Sequence, residues 1–215
     1  MKKFISLLSL VLLVFSGYTQ DTTIAFEKFG SIPVGWTVTP SGSWDLDYSL
    51  YQSDSSSICG YVPNLPGDST VLMSPYYDFR NYSYVFLRFN QICKVVGTDI
   101  CKIYIQENHT GARWRELPTS VYQGINPSAY QNARFSQMSY PNWIPNDSLA
   151  IPTYAWWRTE LFDLTNEASY AQVRFKFVIK RGNGSATHFA YGWLIDDFEL
   201  IASQYEIKPP LMEDL

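Results

Sequence analysis

The sequence predicts an all-β protein, built as a sandwich of two antiparallel sheets. Apolar and polar residues alternate along several segments, turn residues separate these segments at short intervals, and the apolar spacing of an amphipathic helix is almost absent. Within residues 173–180 the odd positions are apolar and most even positions are charged. This pattern is typical of a strand with one buried face and one face in water, and many such strands favour a sandwich.

The same alternation recurs earlier in the chain, in residues 85–89 and 101–106. In the second of these segments Lys102, Tyr104 and Gln106 are predicted to point outward, because successive side chains of a strand face opposite sides. Turn signals rich in Gly, Pro, Asn and Asp separate the predicted strands at residues 40–42, 66–68, 109–111 and 181–184. Short antiparallel strands joined by turns are therefore expected throughout.

The first 20 residues predict a secretory signal peptide. Lys2 and Lys3 precede the apolar residues 4–15, and small or polar residues follow up to Gln20. A membrane-spanning helix needs about 20 apolar residues, more than this segment has, although a retained anchor is the alternative. We expect an exported protein, secreted, at the cell surface or in the periplasm, with no membrane span after cleavage.

The remaining chain predicts one domain. Residues 21–203 fit a single sandwich, since all-β domains of about 200 residues are common. Residues 204–215 contain two prolines and several acidic residues and are predicted to form a tail or a linker. The formal net charge of −4, without a cluster of basic residues, argues against nucleic acid as a partner.

The three cysteines allow at most one internal disulfide. Cys93 and Cys101 lie symmetrically about Gly97 in a predicted β-hairpin, so they are expected to face each other. They either form a disulfide or pack as two small apolar side chains.

A long irregular segment, residues 118–155, interrupts the alternation. Connections longer than about 12 to 15 residues are uncommon in compact domains and are often functional. The segment is rich in Pro, Asn, Ser and aromatic residues. One interpretation is that it folds Phe135, Trp143 and Tyr154 onto a sheet that would otherwise be bare; the other is that it forms a ligand-binding surface.

Adjacent tryptophans at the end of this segment favour the second interpretation. With 16 Tyr and 7 Trp, the chain has more aromatic residues than a core usually needs. Trp156 and Trp157 are expected at the start of a strand, where neighbouring side chains point to opposite faces, so one of them is outward or covered by the long segment. The predicted ligand-binding residues are Tyr140, Trp143, Tyr154 and Trp156.

A set of short motifs occurs in a fixed order between residues 24 and 201. The motifs are residues 25–27, 32–36, 72–79, 87–89, 103–105, 114–117, 162–165, 173–177 and 192–198, with Trp157. As an ordered set they resemble the MAM-like and cleaved-adhesin jelly-roll domains of secreted and surface proteins in Bacteroidota. The resemblance implies a two-sheet jelly roll of the kind found in adhesins, protease-attached modules and carbohydrate-binding modules. The 118–155 insertion departs from the family pattern.

The resemblance also implies a calcium ion. It points to Glu27 together with Asp196 or Asp197, and the Asp45 and Asp47 carboxylates are the next candidates. Calcium takes six to eight oxygen ligands, mostly carboxylates and carbonyls. The alternative is an acidic strand end with an aspartate that caps the backbone.

The sequence gives little support for catalysis, and we predict no catalytic residues. The two histidines, His109 and His188, lie in polar turn-like segments, and no flanking motif supports a pairing with Cys59. The predicted function is an adhesion or ligand-binding module for a glycan or a surface protein. A structural partner in a surface or secretion complex is the alternative, and a secreted hydrolase is the second alternative.

Overall fold

The chain folds as a jelly-roll sandwich of two antiparallel six-stranded sheets. The computed structural model describes residues 21–183 and 190–206, so the predicted signal peptide, His188 and most of the predicted tail lie outside the described residues. The strands are β1 Thr22–Glu27, β2 Thr37–Thr39, β3 Trp44–Asp47, β4 Ser57–Gly60, β5 Ser69–Met73, β6 Tyr77–Asp78, β7 Tyr84–Lys94, β8 Ile100–Glu107, β9 Arg115–Glu116, β10 Arg158–Asp163, β11 Gln172–Lys180 and β12 Gly192–Ser203. No helix in the described part of the chain is long and apolar enough to span a membrane.

Each sheet is organised around one long strand. Sheet A has the order β10-β7-β12-β4-β3, and β1 pairs with the second half of β12 beyond β4. Sheet B has the order β2-β5-β11-β8-β9, and β6 pairs with the start of β11 beyond β5. Consecutive strands repeatedly change sheet, so the hydrophobic core forms between strands that are distant in the sequence.

The predicted alternation of β11 is confirmed. Val173, Phe175, Phe177 and Ile179 are fully buried in the core between the sheets. Phe177 lies edge-on to Trp193 of β12, with ring centroids 5.5 Å apart. The even positions of β11 consequently lie on the outer face of sheet B.

The predicted hairpin around Gly97 is wrong. Cys93 lies on β7 in sheet A, whereas Cys101 lies on β8 in sheet B, because the connection between these strands crosses the sandwich instead of joining neighbours. Cys59, Cys93 and Cys101 are free and buried. Burial raises the pKa of the Cys93 thiol, which lies beside Cys101.

The long segment has no strand and contains four short 3-10 helices, Thr119–Val121, Pro127–Ala133, Pro141–Trp143 and Tyr154–Trp156. Its middle part packs against the core edge, where Tyr130 and Phe135 contact the ring of Phe162 on β10. Its later part, around Trp143, lies against the outward-facing Lys94 of β7. The segment thus covers an edge and part of the outer face of sheet A.

Candidate functional site

Three of the four predicted ligand-binding aromatics are buried. Trp143 is fully buried, Tyr140 and Trp156 are each 7% exposed, and only Tyr154 is largely exposed, at 56%. The prediction of an aromatic contact surface in the long segment is therefore wrong for Tyr140, Trp143 and Trp156. The segment folds Phe135 and Trp143 inward, as its alternative interpretation expected, but leaves Tyr154 outside.

A buried lysine explains why these aromatics turn inward. The Lys94 ammonium donates to the backbone carbonyls of Trp143 at 2.7 Å, Ile144 at 2.9 Å and Asp147 at 2.7 Å. It also lies 5.5 Å from the ring centroid of Trp156. The Trp143 indole N–H donates to the Trp156 carbonyl at 2.7 Å, so both tryptophans have polar partners inside the protein. These contacts hold the segment as a lid on sheet A.

Trp156 does not occupy the position that the sequence predicted. It ends a 3-10 helix, Tyr154–Trp156, and the strand begins only at Arg158. Side-chain alternation along a strand does not apply before the strand starts, so Trp156 and Trp157 are both buried, at 7% exposure each. The expected strand start at this pair is therefore wrong, whereas the expected covering of one tryptophan by the long segment is observed for Trp156, which lies beside Trp143 and Lys94.

A buried carboxylate lies beneath the same lid. Glu160 on β10 is fully buried and accepts hydrogen bonds from the Tyr122 hydroxyl at 2.5 Å, the Tyr140 hydroxyl at 3.0 Å and the Gln91 amide at 2.7 Å. Burial raises the pKa of Glu160 to about 7, against the opposing effect of these donors. Because solvent does not reach it, this group serves the packing of the lid and not an encounter with substrate.

The Asp196 carboxylate binds backbone amides. Its Oδ2 accepts from the N–H groups of Gln52 at 2.7 Å and Ser53 at 3.0 Å, and its Oδ1 accepts from the N–H of Asp197 at 2.8 Å. Burial raises the pKa of Asp196 to about 6. These contacts match the backbone-capping alternative. Asp197 lies at a β-bulge with φ 49° and accepts from Ser53 and Asn90.

The other predicted calcium ligands lie on β1 and β3, and Glu27 of β1 pairs with Phe198, the residue after Asp197. Asp47 accepts from the backbone N–H groups of Ser49 and Leu50 and from the Tyr191 hydroxyl, and Asp45 accepts from the N–H of Leu46. Glu27 lines a surface depression together with Asp54. Partial burial raises the pKa of the Glu27 carboxyl.

The predicted calcium ligands do not include three or more side chains gathered in one cluster. Within residues 21–183 and 190–206, no group of three or more His, Cys, Asp or Glu side chains could hold a metal ion. The predicted pairing of Glu27 with Asp196 or Asp197 needs only two carboxylates, since backbone carbonyls can supply further calcium ligands. Calcium binding stays a prediction.

The outer face of sheet B carries a different set of aromatic residues. One row of side chains crosses five of the six strands of the sheet, because Lys176 on β11 pairs with Met73 and Tyr104, Met73 pairs with Thr37, and Tyr104 pairs with Glu116. Directly paired residues on neighbouring strands share a face. The inner neighbours of Lys176 are buried core residues, so this row faces the solvent.

Two cations and three aromatic rings interleave on this face. The Arg174 guanidinium lies 4.6 Å from the ring centroid of Tyr76 and 5.1 Å from that of Trp114. The Lys176 ammonium lies 4.5 Å from the Trp114 ring and 4.8 Å from the Tyr104 ring. We call these five residues the aromatic–cation face. Tyr76 is 38% exposed, and the other four are half-buried.

A glutamine fixes one end of the aromatic–cation face. Gln106 on β8 pairs with Arg174, and its Oε1 accepts from Nε at 2.9 Å and Nη2 at 2.7 Å of the guanidinium. The Tyr76 hydroxyl also donates to this oxygen, at 3.4 Å. Arg174 is thus held by Gln106 and by the two rings.

Sequence reasoning missed this face, although one signal for it was present. The alternation already placed Tyr104 and the even residues of β11 on the solvent side. What was missing was the register that sets Lys176 opposite Tyr104, and the position of Trp114 just before β9. Register between strands of different hairpins depends on tertiary packing, which no local pattern records.

The described residues offer no obvious nucleophile and base. His109 is exposed and lies 3.5 Å from Glu107, while Cys59 is buried with its pKa raised by burial. Neither arrangement supplies an accessible activated nucleophile.

Comparisons with known proteins give neighbours in structure only. No protein-family model matches the chain, and no curated protein matches it. The chain is similar to the CBM22-1 xylan-binding domain from Paenibacillus barcinonensis Xyn10C, with a TM-score of 0.47 and 11% identity over 88% of this chain and 99% of that one. It is similar to TmCBM61, solved with β-1,4-galactotriose, with a TM-score of 0.41 and 10% identity over 79% and 89%.

A third neighbour is the K3 cleaved adhesin domain of Lys-gingipain from Porphyromonas gingivalis. Its TM-score is 0.41 and its identity is 11%, over 84% of this chain and 99% of that one. At identities this low, function has to be argued from the residues of this chain.

Proposed function

We propose that this protein is an exported, non-catalytic saccharide-binding module, and that the aromatic–cation face of sheet B is its binding surface. The observation that carries the proposal is the set of Tyr76, Tyr104 and Trp114 rings on one regular sheet face, interleaved with hydrogen-bonding side chains. Export depends on residues 1–20, which lie outside the described residues.

The chemistry of the face suits a sugar chain. Tyr and Trp present apolar surface beside a polar edge, which matches a sugar ring with its C–H surface and hydroxyl rim. Gln106 and Arg174 supply polar groups between the rings. Tyr104, Arg174 and Lys176 lie on paired strands, so these side chains are held in place before a ligand arrives, which reduces the entropic cost of binding.

A glycan array probed with the purified mature chain tests this proposal. We expect Trp114→Ala to lose binding at least tenfold, because the Trp114 ring contacts both cations and lies at the centre of the face. Its fold should be retained, since the residue is half-buried on the surface.

The matched control is Tyr154→Ala, which removes an exposed aromatic of the long segment. It should bind as the unmodified chain does. Loss of binding in Tyr154→Ala with retention in Trp114→Ala would move the site to the long segment, and an array without any bound glycan would contradict the proposal.

A protein partner is the second candidate, and a separate observation favours it. Leu149, Ile151 and Tyr154, on the late part of the long segment, are 69%, 68% and 56% exposed. Aliphatic side chains exposed together are typical of protein contacts. A pull-down from native envelope, with Leu149→Ser and Ile151→Ser as controls, distinguishes this contact from saccharide binding.

A further inference from the structure

The aromatic–cation face and its surroundings carry unbalanced positive charge. Around Tyr104, the cations Lys102, Arg174 and Lys176 lie on the outer face of sheet B with the carboxylate of Glu116, which is 2.7 Å from the Lys102 ammonium. Asp78, farther along the same face, is paired with Arg80. This region therefore has an excess of two positive charges on a chain whose formal net charge is −4. A positively charged region on a protein of negative net charge attracts negatively charged ligands.

Arg174 is held in a geometry that suits an oxyanion. Two of its N–H groups are used by Gln106, and the Tyr76 and Trp114 rings hold the guanidinium in place. Among the described residues, it makes no ion pair. A planar guanidinium fixed in this way recognises carboxylates through paired hydrogen bonds, and little side-chain entropy is lost on binding.

Lys176 adds a second free cation beside it. Its ammonium contacts two rings but makes no hydrogen bond or ion pair within the described part of the chain. Burial and the Arg174 charge lower its pKa. Positions two apart on a strand are separated by about 6.7 Å, so both cations can reach one carboxylate or two neighbouring ones.

We infer that the aromatic–cation face takes an acidic saccharide, a chain of uronate sugars whose carboxylates bind Arg174 and Lys176, an inference that rests on the proposed saccharide-binding function. Rings and cations alternate across the face. A uronate chain offers the matching pair of groups, sugar C–H surface for the rings and carboxylates for the cations. An acidic peptide would satisfy the cations without using the three rings in this way.

Binding to matched polysaccharides tests the inference. The probes are polygalacturonate, alginate and hyaluronate as uronate chains, methyl-esterified polygalacturonate as the same sugar without charge, dextran sulfate for sulfate in place of carboxylate, and polyglutamate for carboxylate without sugar. Titration calorimetry in about 0.1 M salt keeps the Debye length near 10 Å. We expect at least one uronate chain to bind. Methyl-esterified polygalacturonate and polyglutamate should bind at least tenfold more weakly than that chain.

Variants assign the effect to the two cations. We expect Arg174→Gln to weaken uronate binding about tenfold or more and Lys176→Gln to weaken it severalfold, in each case by a larger factor than the same variant weakens binding of a neutral saccharide. Lys180→Gln is the matched control, because it removes the same charge from an exposed position on the same strand. It should change the affinity less than twofold. Unchanged melting temperatures show that the variants remain folded.

The outcomes separate the two proposals. Equal binding of neutral and uronate chains, both lost in Trp114→Ala, would overturn the acidic-saccharide inference and support the proposed function. Polyglutamate or dextran sulfate binding as tightly as any uronate chain would also overturn the inference. If no saccharide binds, charged or neutral, the proposed function itself is contradicted.

Discussion

Two regions of this molecule combine lysine with tryptophan, and they use the combination in opposite ways. Beneath the long segment, Lys94 of β7 lies beside Trp156, and its ammonium donates to three backbone carbonyls. On sheet B, Lys176 lies beside Trp114 and Tyr104 but makes no hydrogen bond among the described residues. The first cluster is closed and stabilises a lid, whereas the second has unused donors facing the solvent. Satisfied polar groups indicate structure, and unsatisfied exposed ones indicate a contact surface.

The largest expected effect separates the tryptophans of the two regions. Trp143→Ala should lower the free energy of unfolding by about 3 to 5 kcal/mol, because it empties a buried site. Trp114→Ala should lower it by less than about 1 kcal/mol, the scale of exposed cation–π contacts. Urea unfolding measures both. Equal losses in the two variants would remove the distinction between lid and contact surface.

The pH dependence of stability tests whether Glu160 is sealed beneath the lid. Because its pKa is raised to about 7 from 4.5, the folded protein holds this proton more tightly than the unfolded chain does. Its contribution to stability is therefore full below pH 4.5 and is lost as the pH rises through 7, a change of about 3 kcal/mol.

Urea unfolding between pH 4 and 8 should show a smaller decline in Glu160→Gln than in the unmodified chain. Asp196 also makes the folded protein less stable as the pH rises, but with a pKa of about 6 its effect is largely complete at a lower pH than that of Glu160. The decline in stability above pH 6 therefore reports mainly on Glu160. Glu206→Gln, at an exposed position, is the control and should keep the decline of the unmodified chain. Parallel curves for all three proteins would mean that water reaches Glu160.

The two lysines provide a smaller and more direct contrast. Lys94→Met should cost about 1.5 to 3 kcal/mol, because three carbonyls lose a charged donor. Lys176→Met should change stability by less than about 1 kcal/mol, since its contacts are at the surface. Thermal unfolding compares them. A larger loss in Lys176→Met would mean that the sheet B cluster is the structural one.

Calcium has the smallest expected effect on stability. If calcium binds through Glu27, a concentration about five times Kd adds about 1 kcal/mol, which raises Tm by roughly 2 to 4 °C. Glu27→Gln should abolish the increase. Identical melting curves in calcium and in chelator, with no metal by elemental analysis, would contradict the calcium prediction.

The sequence predicted the sandwich because alternation is local. Residues 173–180 gave the correct buried face of β11 from spacing alone, since a strand with one wet face must alternate. The hairpin around Gly97 was wrongly predicted because a β-hairpin and a crossover between sheets have the same local pattern, although Cys93 and Cys101 do lie side by side as two buried thiols. A turn at Gly97 is compatible with either connection.

The candidate site was predicted less well, because burial of an aromatic outside a strand depends on distant partners. Trp143 is buried because Lys94, about 50 residues earlier, binds the backbone around it. Nothing near Trp143 in the sequence records that contact. Tyr104 was correctly placed on the outer face, but its neighbours Lys176 and Trp114 come from other strands.

The central claim is that the rings of sheet B contact the ligand and those of the long segment do not. The indole N–H signals of the tryptophans, assigned by substitution and followed by NMR during titration with an oligosaccharide of the sugar bound most tightly in the array, test it directly. We predict that the Trp114 signal shifts with saturation while the Trp143 and Trp156 signals stay in place. Shifts of Trp143 or Trp156 with an unchanged Trp114 signal would contradict the claim.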